Sequence, residues 1–420
     1  MSYYPRLIEK KISLALKSTG VVVVAGPKFC GKTTTAKVFS NSFYSLDTKA
    51  KIELCQTDPG AILIGKHPRL IDEWQNVPDL WNVARSKIDE SNDKFGQFIF
   101  TGSSTPADKD DIYHSGAGRI VTVKMKPFSL LESKESDGSI SLESLFNGQK
   151  SVFNTNDNFS INDTAFFLCR GGWPISVLSN KENSLLVTKN YISTLFEFEN
   201  NPNKKFRNKK QKLFEMVLRS YARNISTEVR RSVMIKDIIA HEDRKIDEDT
   251  YDSYIEALND LYIIKDIEAW NPNFRSKTAV ISNPTRHFVD TSIATAILNI
   301  SPNDLINDPK SFGLFFEDFA VKELSIYADY LNGEVRHYRD NNGLECDSVV
   351  HLENGDYALI EIKLGGEKLI NEGISNLKRL RDKLEKDNIH LPSFMAIVTA
   401  TGPAYTKEGV HIIPINLLGI

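Results

Sequence analysis

The stretch Val21-Val-Val-Val-Ala-Gly26-Pro-Lys-Phe-Cys-Gly31-Lys32-Thr33-Thr34 sets the reading of the first third of the chain. Its valines form a short apolar run with strong β preference, and Thr33 to Phe39 reads as the helix that follows. Between them stands GxxxxGK[ST], in the strand-to-helix context this motif needs. The glycines let backbone N–H groups close on phosphate oxygens, and the helix N-terminus adds a favourable dipole. Lys32 is expected to reach β and γ phosphates, and Thr33 to ligate Mg²⁺. The candidate nucleotide-binding residues are therefore Gly26, Pro27, Lys28, Phe29, Cys30, Gly31, Lys32, Thr33 and Thr34, with ATP and Mg²⁺ as the implied cofactors. Cys30 reads as a small filler inside the loop, with a redox switch as the alternative.

Outward from this loop, Pro68-Arg-Leu-Ile-Asp72 and Gln97-Phe-Ile-Phe-Thr101 are further short apolar runs separated by helical stretches. Such alternation predicts a parallel sheet with crossover helices. Asp72 and Glu73 close one of these strands. Asp72 is placed for Mg²⁺, and Glu73 for polarising an attacking water. Two acids at a strand end also fit an ordinary solvated turn, but behind a phosphate cradle the catalytic reading is the stronger. The glutamate favours hydrolysis over a small-molecule kinase, for which no acceptor site or lid is visible.

Leu70-Ile-Asp-Glu-Trp-Gln-Asn-Val-Pro-Asp-Leu80, Lys87-Ile-Asp-Glu and Phe98-Ile-Phe-Thr-Gly-Ser-Ser104 together resemble a widespread prokaryotic group of AAA-type P-loop ATPases. In that group the ATPase is joined to a C-terminal domain of unknown function with a nuclease-like core. The resemblance covers nearly the whole chain in motif order. It implies a polar sensor at the Thr101–Ser104 strand end, with Ser103 as the candidate. It also implies that Arg119, in His114-Ser-Gly-Ala-Gly-Arg119, is an arginine finger acting in cis or across a subunit. A structural salt bridge is the other reading of Arg119, and a homo-oligomer follows only from the trans case.

In the middle of the chain, Leu213–Arg223, Ser232–Ala240 and Asp249–Leu261 show helical spacing, with Tyr251, Ile255, Leu258 and Tyr262 on one face. Two strands are expected next, Tyr262–Trp270 and Lys277–Ser282, joined by a turn at Asn271-Pro-Asn-Phe. Three helices and a hairpin make a winged helix, which the family resemblance also implies. Its third helix carries Asp247, Glu248, Asp249, Asp252, Glu256 and Asp260, and DNA phosphates would repel these. A domain-coupling or protein-contact role fits that helix better. Lys204-Lys-Phe-Arg-Asn-Lys-Lys-Gln-Lys212 is the better electrostatic candidate for nucleic acid, against a solvated helix start.

The last segment reads helix (Gly313–Tyr330), strands (Glu334–Arg339, Cys346–Leu352, Tyr357–Leu364), helix (Ile370–Glu385) and strand (Ser393–Thr399), with a final strand at His411–Ile415. This order resembles the PD-(D/E)XK nuclease core. Alternation puts Glu361 and Lys363 on one face of their strand, and Ile360, Ile362 and Leu364 on the other. Asp347, on the preceding strand, can converge with Glu361. Asp347 and Glu361 are the expected metal ligands, and Lys363 would orient water and stabilise developing charge. The resemblance adds Glu317 to this catalytic set. His337 and His351 read as surface residues, and Gly365-Gly366 as a turn.

Whole-chain composition is consistent with these assignments. Of 420 residues, 52 are Lys or Arg and 55 Asp or Glu, a formal charge of −3, so no global basic footprint marks a nucleic-acid partner. The longest apolar run, Val21–Ala25, is far short of the roughly 20 residues of a membrane helix. Four scattered cysteines without a CxxC pair indicate neither zinc nor a disulfide frame, and a cytoplasmic location is expected. The expectation is an α/β chain of three parts: an AAA-type P-loop ATPase domain (1–165), a helical lid and winged-helix domain (166–305), and a PD-(D/E)XK nuclease-like α/β domain (306–420). Residues 132–163, rich in Ser, Asn, Asp and Gly, read as a surface connection. DNA is a candidate partner and a membrane is not. The alternative function is a nucleotide-gated regulatory protein that binds DNA or protein and cuts nothing.

Overall fold

The computed structural model describes residues 3–91, 94–103, 116–155, 159–195, 210–242, 245–272 and 283–420. The chain divides into two compact units: Met1–Pro127 with Ser193–Phe214 and Asp252–Ile263, and Phe128–Ile192 with Glu215–Tyr251 and Ile264–Ile420.

The first unit is built on a five-stranded sheet, β1 (Val21–Ala25), β2 (Ser42–Ser45), β3 (Arg69–Asp72), β4 (Phe98–Gly102) and β5 (Ile120–Lys124). The strand order is β2-β3-β4-β1-β5, and every pair is parallel. Parallel sheets are covered on both faces, and β1 and β4 are buried at every position, as their unbroken apolar runs require. Parallel pairing also gathers all the C-terminal strand ends at one edge. The phosphate-binding loop leaves β1 at that edge, beside the ends of β3 and β4. Trp74 stacks on Trp81 and Phe100 beneath the β3 end, fixing the turn that follows it.

The second unit holds a six-stranded sheet. Its strands are β7 (Gly333–Arg339), β8 (Glu345–Leu352), β9 (Tyr357–Lys363), β10 (Phe394–Thr399), β11 (Tyr405–Lys407) and β12 (Val410–Pro414). A short pair, β6 (Ile140–Ser141) with β13 (Leu418–Gly419), stands apart from it. The order is β11-β12-β10-β9-β8-β7: an antiparallel meander β7-β8-β9, then parallel β10 and β12, then antiparallel β11. The long helices Pro309–Tyr330 and Glu367–Lys386 precede and interrupt these strands. The helix-strand order expected from sequence is therefore observed, with β11 as an unforeseen edge strand.

Three expectations change. The 132–163 region is not merely a surface connection: Leu142 and Leu145 are buried, and Ile140 pairs with Leu418. Its polar composition hid a short amphipathic helix, Leu142–Phe146, whose apolar face packs inward. His337 is buried at 2% exposure, and the Glu268–Trp270 backbone pairs along β7 at this position. The expected Tyr262–Trp270 strand is reduced to bridges, Ile264 to Phe288, Ile267 to Thr285 and Ala269 to His337, since its backbone is shared between two partners. The other hairpin arm, 277–282, lies outside the described residues, as do 204–209 of the basic run.

Three helices do form in the middle segment, Gln211–Arg223, Arg231–Glu242 and Glu248–Asp260. Tyr251 and Leu258 are buried, while Asp247, Glu248, Asp249, Asp252 and Glu256 are exposed.

Candidate functional site

At the C-terminal edge of the first sheet, the register sets Asp72 beside Thr101 and Ala25 beside Gly102. Thr33 Oγ1 donates to Asp72 Oδ1 at 2.8 Å, and the Thr101 hydroxyl donates to the same oxygen. The loop itself is shaped by glycine. A Cβ on Gly26 would lie 2.2 Å from the Met125 carbonyl oxygen, and Gly31 adopts φ +99°. Lys32, 6% exposed, donates from Nζ to the Pro27 carbonyl at 2.7 Å, so its ammonium is folded onto the loop that it closes. Pro27 and Cys30 are buried, while Lys28, Phe29 and Thr34 are exposed.

Glu73 stands just past Asp72 in a left-handed conformation, φ +57°. That turn swings its carboxylate to Gln75, whose Nε2 donates to Glu73 Oε2 at 2.5 Å. Gln75 Oε1 is buried and has no hydrogen-bond partner among the described residues. Gln75 is a residue that sequence reading passed over, because nothing in the spacing shows the turn that brings it to Glu73. Thr101, which the sequence places only in a sensor strand, is bonded to Asp72 together with Thr33. Ser103 is half-buried at the last described position after β4.

The second cluster lies where β8 and β9 part. Their ladder runs from His351 and Tyr357 to Ser348 and Ile360. Beyond it, the Asp347 carboxylate takes a backbone donor, accepting from Ile362 N at 2.7 Å. Lys363 Nζ lies 3.0 Å from Asp347 Oδ2 and 2.6 Å from Glu361 Oε2. Asn376, from the helix Glu367–Lys386, donates to Glu361 Oε1 at 2.7 Å and to the Glu345 carbonyl at 2.6 Å. Gly373 lets that helix come close, since a Cβ there would meet Ile397 at 2.9 Å and Glu361 Cβ at 3.7 Å. Burial, followed by the Asp347 charge, pushes the Glu361 carboxyl up to about 8. Glu317 enters from the helix Pro309–Tyr330; burial first and Asp347 second hold its carboxyl well above the usual range. Burial works against the Lys363 ammonium, but Asp347 and Glu361 outweigh it and raise its pKa.

Asp347, Glu361 and Lys363 are thus brought together, with Glu317 in electrostatic reach. The ammonium of Lys363 sits between the two acids. Among the described residues, no group of three or more His, Cys, Asp or Glu side chains is arranged to hold a metal ion.

Residues 18–134 match the family model of an AAA domain. The first unit contains an AAA-type P-loop ATPase domain. Residues 161–304 and 312–418 match two domains of unknown function, DUF8612 and DUF4143. Among solved structures, the chain is similar to a Walker-type ATPase of Pyrococcus abyssi, at 14% identity over 70% of this chain and 96% of that one, TM-score 0.43. It is also similar to a RuvB variant of Thermotoga maritima (16%, 61% and 88%, TM-score 0.27) and to the ORC1 protein of Aeropyrum pernix in complex with DNA (10%, 72% and 92%, TM-score 0.23). No curated protein matches the chain.

Within the ATPase domain, Arg119 is placed away from the phosphate loop. It precedes β5, which runs parallel to β1 with Ile120 opposite Val21. The arginine therefore stands at the sheet edge opposite the loop, about 16 Å away along a five-residue strand. There its Nε donates to Asp89 Oδ1 at 2.7 Å. Arg119 is thus ion-paired to Asp89 and stands far from this chain's own phosphate loop. His114 and Ser115 of the same motif lie outside the described residues. No helix among the described residues is long and apolar enough to cross a membrane.

Proposed function

We propose that this chain hydrolyses ATP at the ATPase domain and couples that cycle to a Mg²⁺-dependent nuclease-like site acting on DNA. The observation that carries the first half is the convergence of Thr33 and Asp72 on one another at the end of the phosphate-binding loop. A hydroxyl and a carboxylate are hard oxygen donors suited to Mg²⁺, so this pair fits the ion that ATP brings. Mg²⁺ bound there supplies charge neutralisation at the phosphates. Lys32 exchanges the Pro27 carbonyl for phosphate oxygens, and Glu73, steadied by Gln75, orients and polarises water. Substituting Lys32→Ala is expected to abolish ATP binding and phosphate release; unchanged turnover would refute the cradle.

For the second half, support comes from Asp347, Glu361 and Lys363 meeting where two strands part. A divalent cation held by the two acids supplies Lewis acidity toward a phosphodiester. Lys363 would then turn toward the water or the phosphate, with Glu317 positioning one of them. The test is nicking of plasmid or single-stranded DNA with Mg²⁺ or Mn²⁺ and ATP, lost in Glu361→Ala and in Lys363→Ala.

One observation favours the second reading, a nucleotide-gated binding protein. Lys363 already contacts both acids, so the three side chains form a closed cluster of the kind that can serve structure alone. Absence of cleavage under every metal and nucleotide condition selects this reading. The proposed modules remain 1–165, 166–305 and 306–420, the second having winged-helix character with an acidic helix suited to protein contact.

A further inference from the structure

The phosphate-binding loop is gripped from outside its motif. Arg6, only 6% exposed, lies in the segment leading to the helix Glu9–Leu16. Its Nη1 donates to the Cys30 carbonyl, inside the loop, at 2.9 Å. Its Nη2 donates to the Lys126 carbonyl, just past β5, at 2.7 Å. One planar fork therefore ties the loop to the neighbouring strand end, where Cys30 Sγ also lies 3.8 Å from the Met125 carbonyl oxygen. The backbone carrying the fork is fixed in turn. Glu9 Oε1 accepts the Arg6 N–H at 2.6 Å and the Tyr3 hydroxyl at 2.6 Å.

Pinning the Cys30 carbonyl has a consequence across the peptide bond. The unit is planar and trans, so the Gly31 N–H points the opposite way from the Cys30 oxygen. Gly31, at φ +99° and without a Cβ, offers little steric resistance to rotation of that peptide. A guanidinium holding the oxygen on one side keeps the N–H directed to the other, as a loop that cradles phosphate requires.

We propose that Arg6 is a positioning residue for nucleotide binding, setting the Cys30–Gly31 peptide so that its N–H serves phosphate. This rests on the nucleotide-site reading above. Arg6 touches no reacting atom, so its effect falls on affinity rather than on the chemical step.

The experiment measures binding of a fluorescent ATP analogue with Mg²⁺, and steady-state ATP hydrolysis, in the full-length protein and in Arg6→Ala and Arg6→Lys. Arg6→Ala is expected to raise both the Kd and the KM about tenfold, as for loss of one charge-assisted hydrogen bond, while saturating kcat stays within about twofold. Arg6→Lys keeps the charge but not the two-pronged geometry, so its Kd should stay close to that of Arg6→Ala. Should Arg6→Ala fail to fold, Arg6→Lys carries the same expectation. Wild-type affinity in either variant, or a loss confined to kcat, overturns the inference. Failure of the wild-type protein to bind the analogue overturns the nucleotide-site reading and this inference with it; wild-type binding matched by Arg6→Ala overturns this inference alone.

Discussion

The hydroxyl of Thr33 donates to Asp72 Oδ1 at 2.8 Å, joining the helix after the phosphate-binding loop to the end of β3. Because Thr101 donates to the same oxygen from the fully buried end of β4, one carboxylate holds three segments of the site. Asp72→Ala is expected to reduce ATP turnover at least about a hundredfold, in line with loss of a preorganised electrostatic group. It should also lower stability by about 1–3 kcal/mol, because a buried hydroxyl is left without its acceptor. Phosphate release and a denaturant melt measure the two effects; normal turnover would remove Asp72 from the site.

Gln75 holds Glu73 in its left-handed turn through the 2.5 Å contact. Gln75→Ala leaves the phosphate loop untouched and lets the Glu73 carboxylate move freely. The expected outcome is a kcat lowered by about one order of magnitude with the ATP Kd unchanged, since orientation of the water-polarising group is lost while binding is not. An equal rise in Kd would show that Gln75 serves the loop instead.

Lys363 is the cation between Asp347 and Glu361, and removing one member of a largely buried ionic cluster leaves the others uncompensated. Lys363→Ala, measured in a chelator, should lose about 3 kcal/mol, within the range for breaking such pairs. The two acids of that variant would then be open to a divalent cation. Adding Mn²⁺ is expected to raise its melting temperature by more than it raises that of the wild type, by mass action on the folded state. No Mn²⁺-dependent shift in either protein would mean that these acids do not form a cation site.

Consecutive motifs were legible because each carries its chemistry and its structural context in one short stretch. Gly26 to Thr33 sits between strand and helix, Asp72-Glu73 ends an apolar run, and Glu361 and Lys363 share a strand face. What escaped the sequence depends on three-dimensional closure. Arg6 meets Cys30 across 24 positions, and Asn376 meets Glu361 across 15. Arg119 has a family-like motif, but only the β1–β5 register shows that it stands at the sheet edge opposite this chain's own phosphate loop. Leu142 and Leu145 were masked by polar neighbours until the β6–β13 pairing fixed their surroundings.

His337 gives the second unit a pH-dependent stability. Burial first, and the nearby His287 second, lower its pKa from 6.5 to about 4. It faces Glu228, whose Oε1 lies 3.4 Å from Nδ1 and whose own carboxyl is raised by burial, and Arg339 adds a further repulsive charge. Its Nε2 has no hydrogen-bond partner among the described residues, and burial beside these charged side chains holds the imidazole neutral. Folded His337 therefore binds a proton less readily than the unfolded chain does. Between pH 6.5 and about 4 the unfolded state carries more protons, and stability falls as pH falls through that window. The full effect is about 3 kcal/mol, present above pH 6.5 and absent below the folded value. Denaturant melts at pH 7 and pH 5 should show a smaller pH-dependent loss in His337→Gln than in the wild type. Parallel losses in the two proteins would assign the acid sensitivity to other groups.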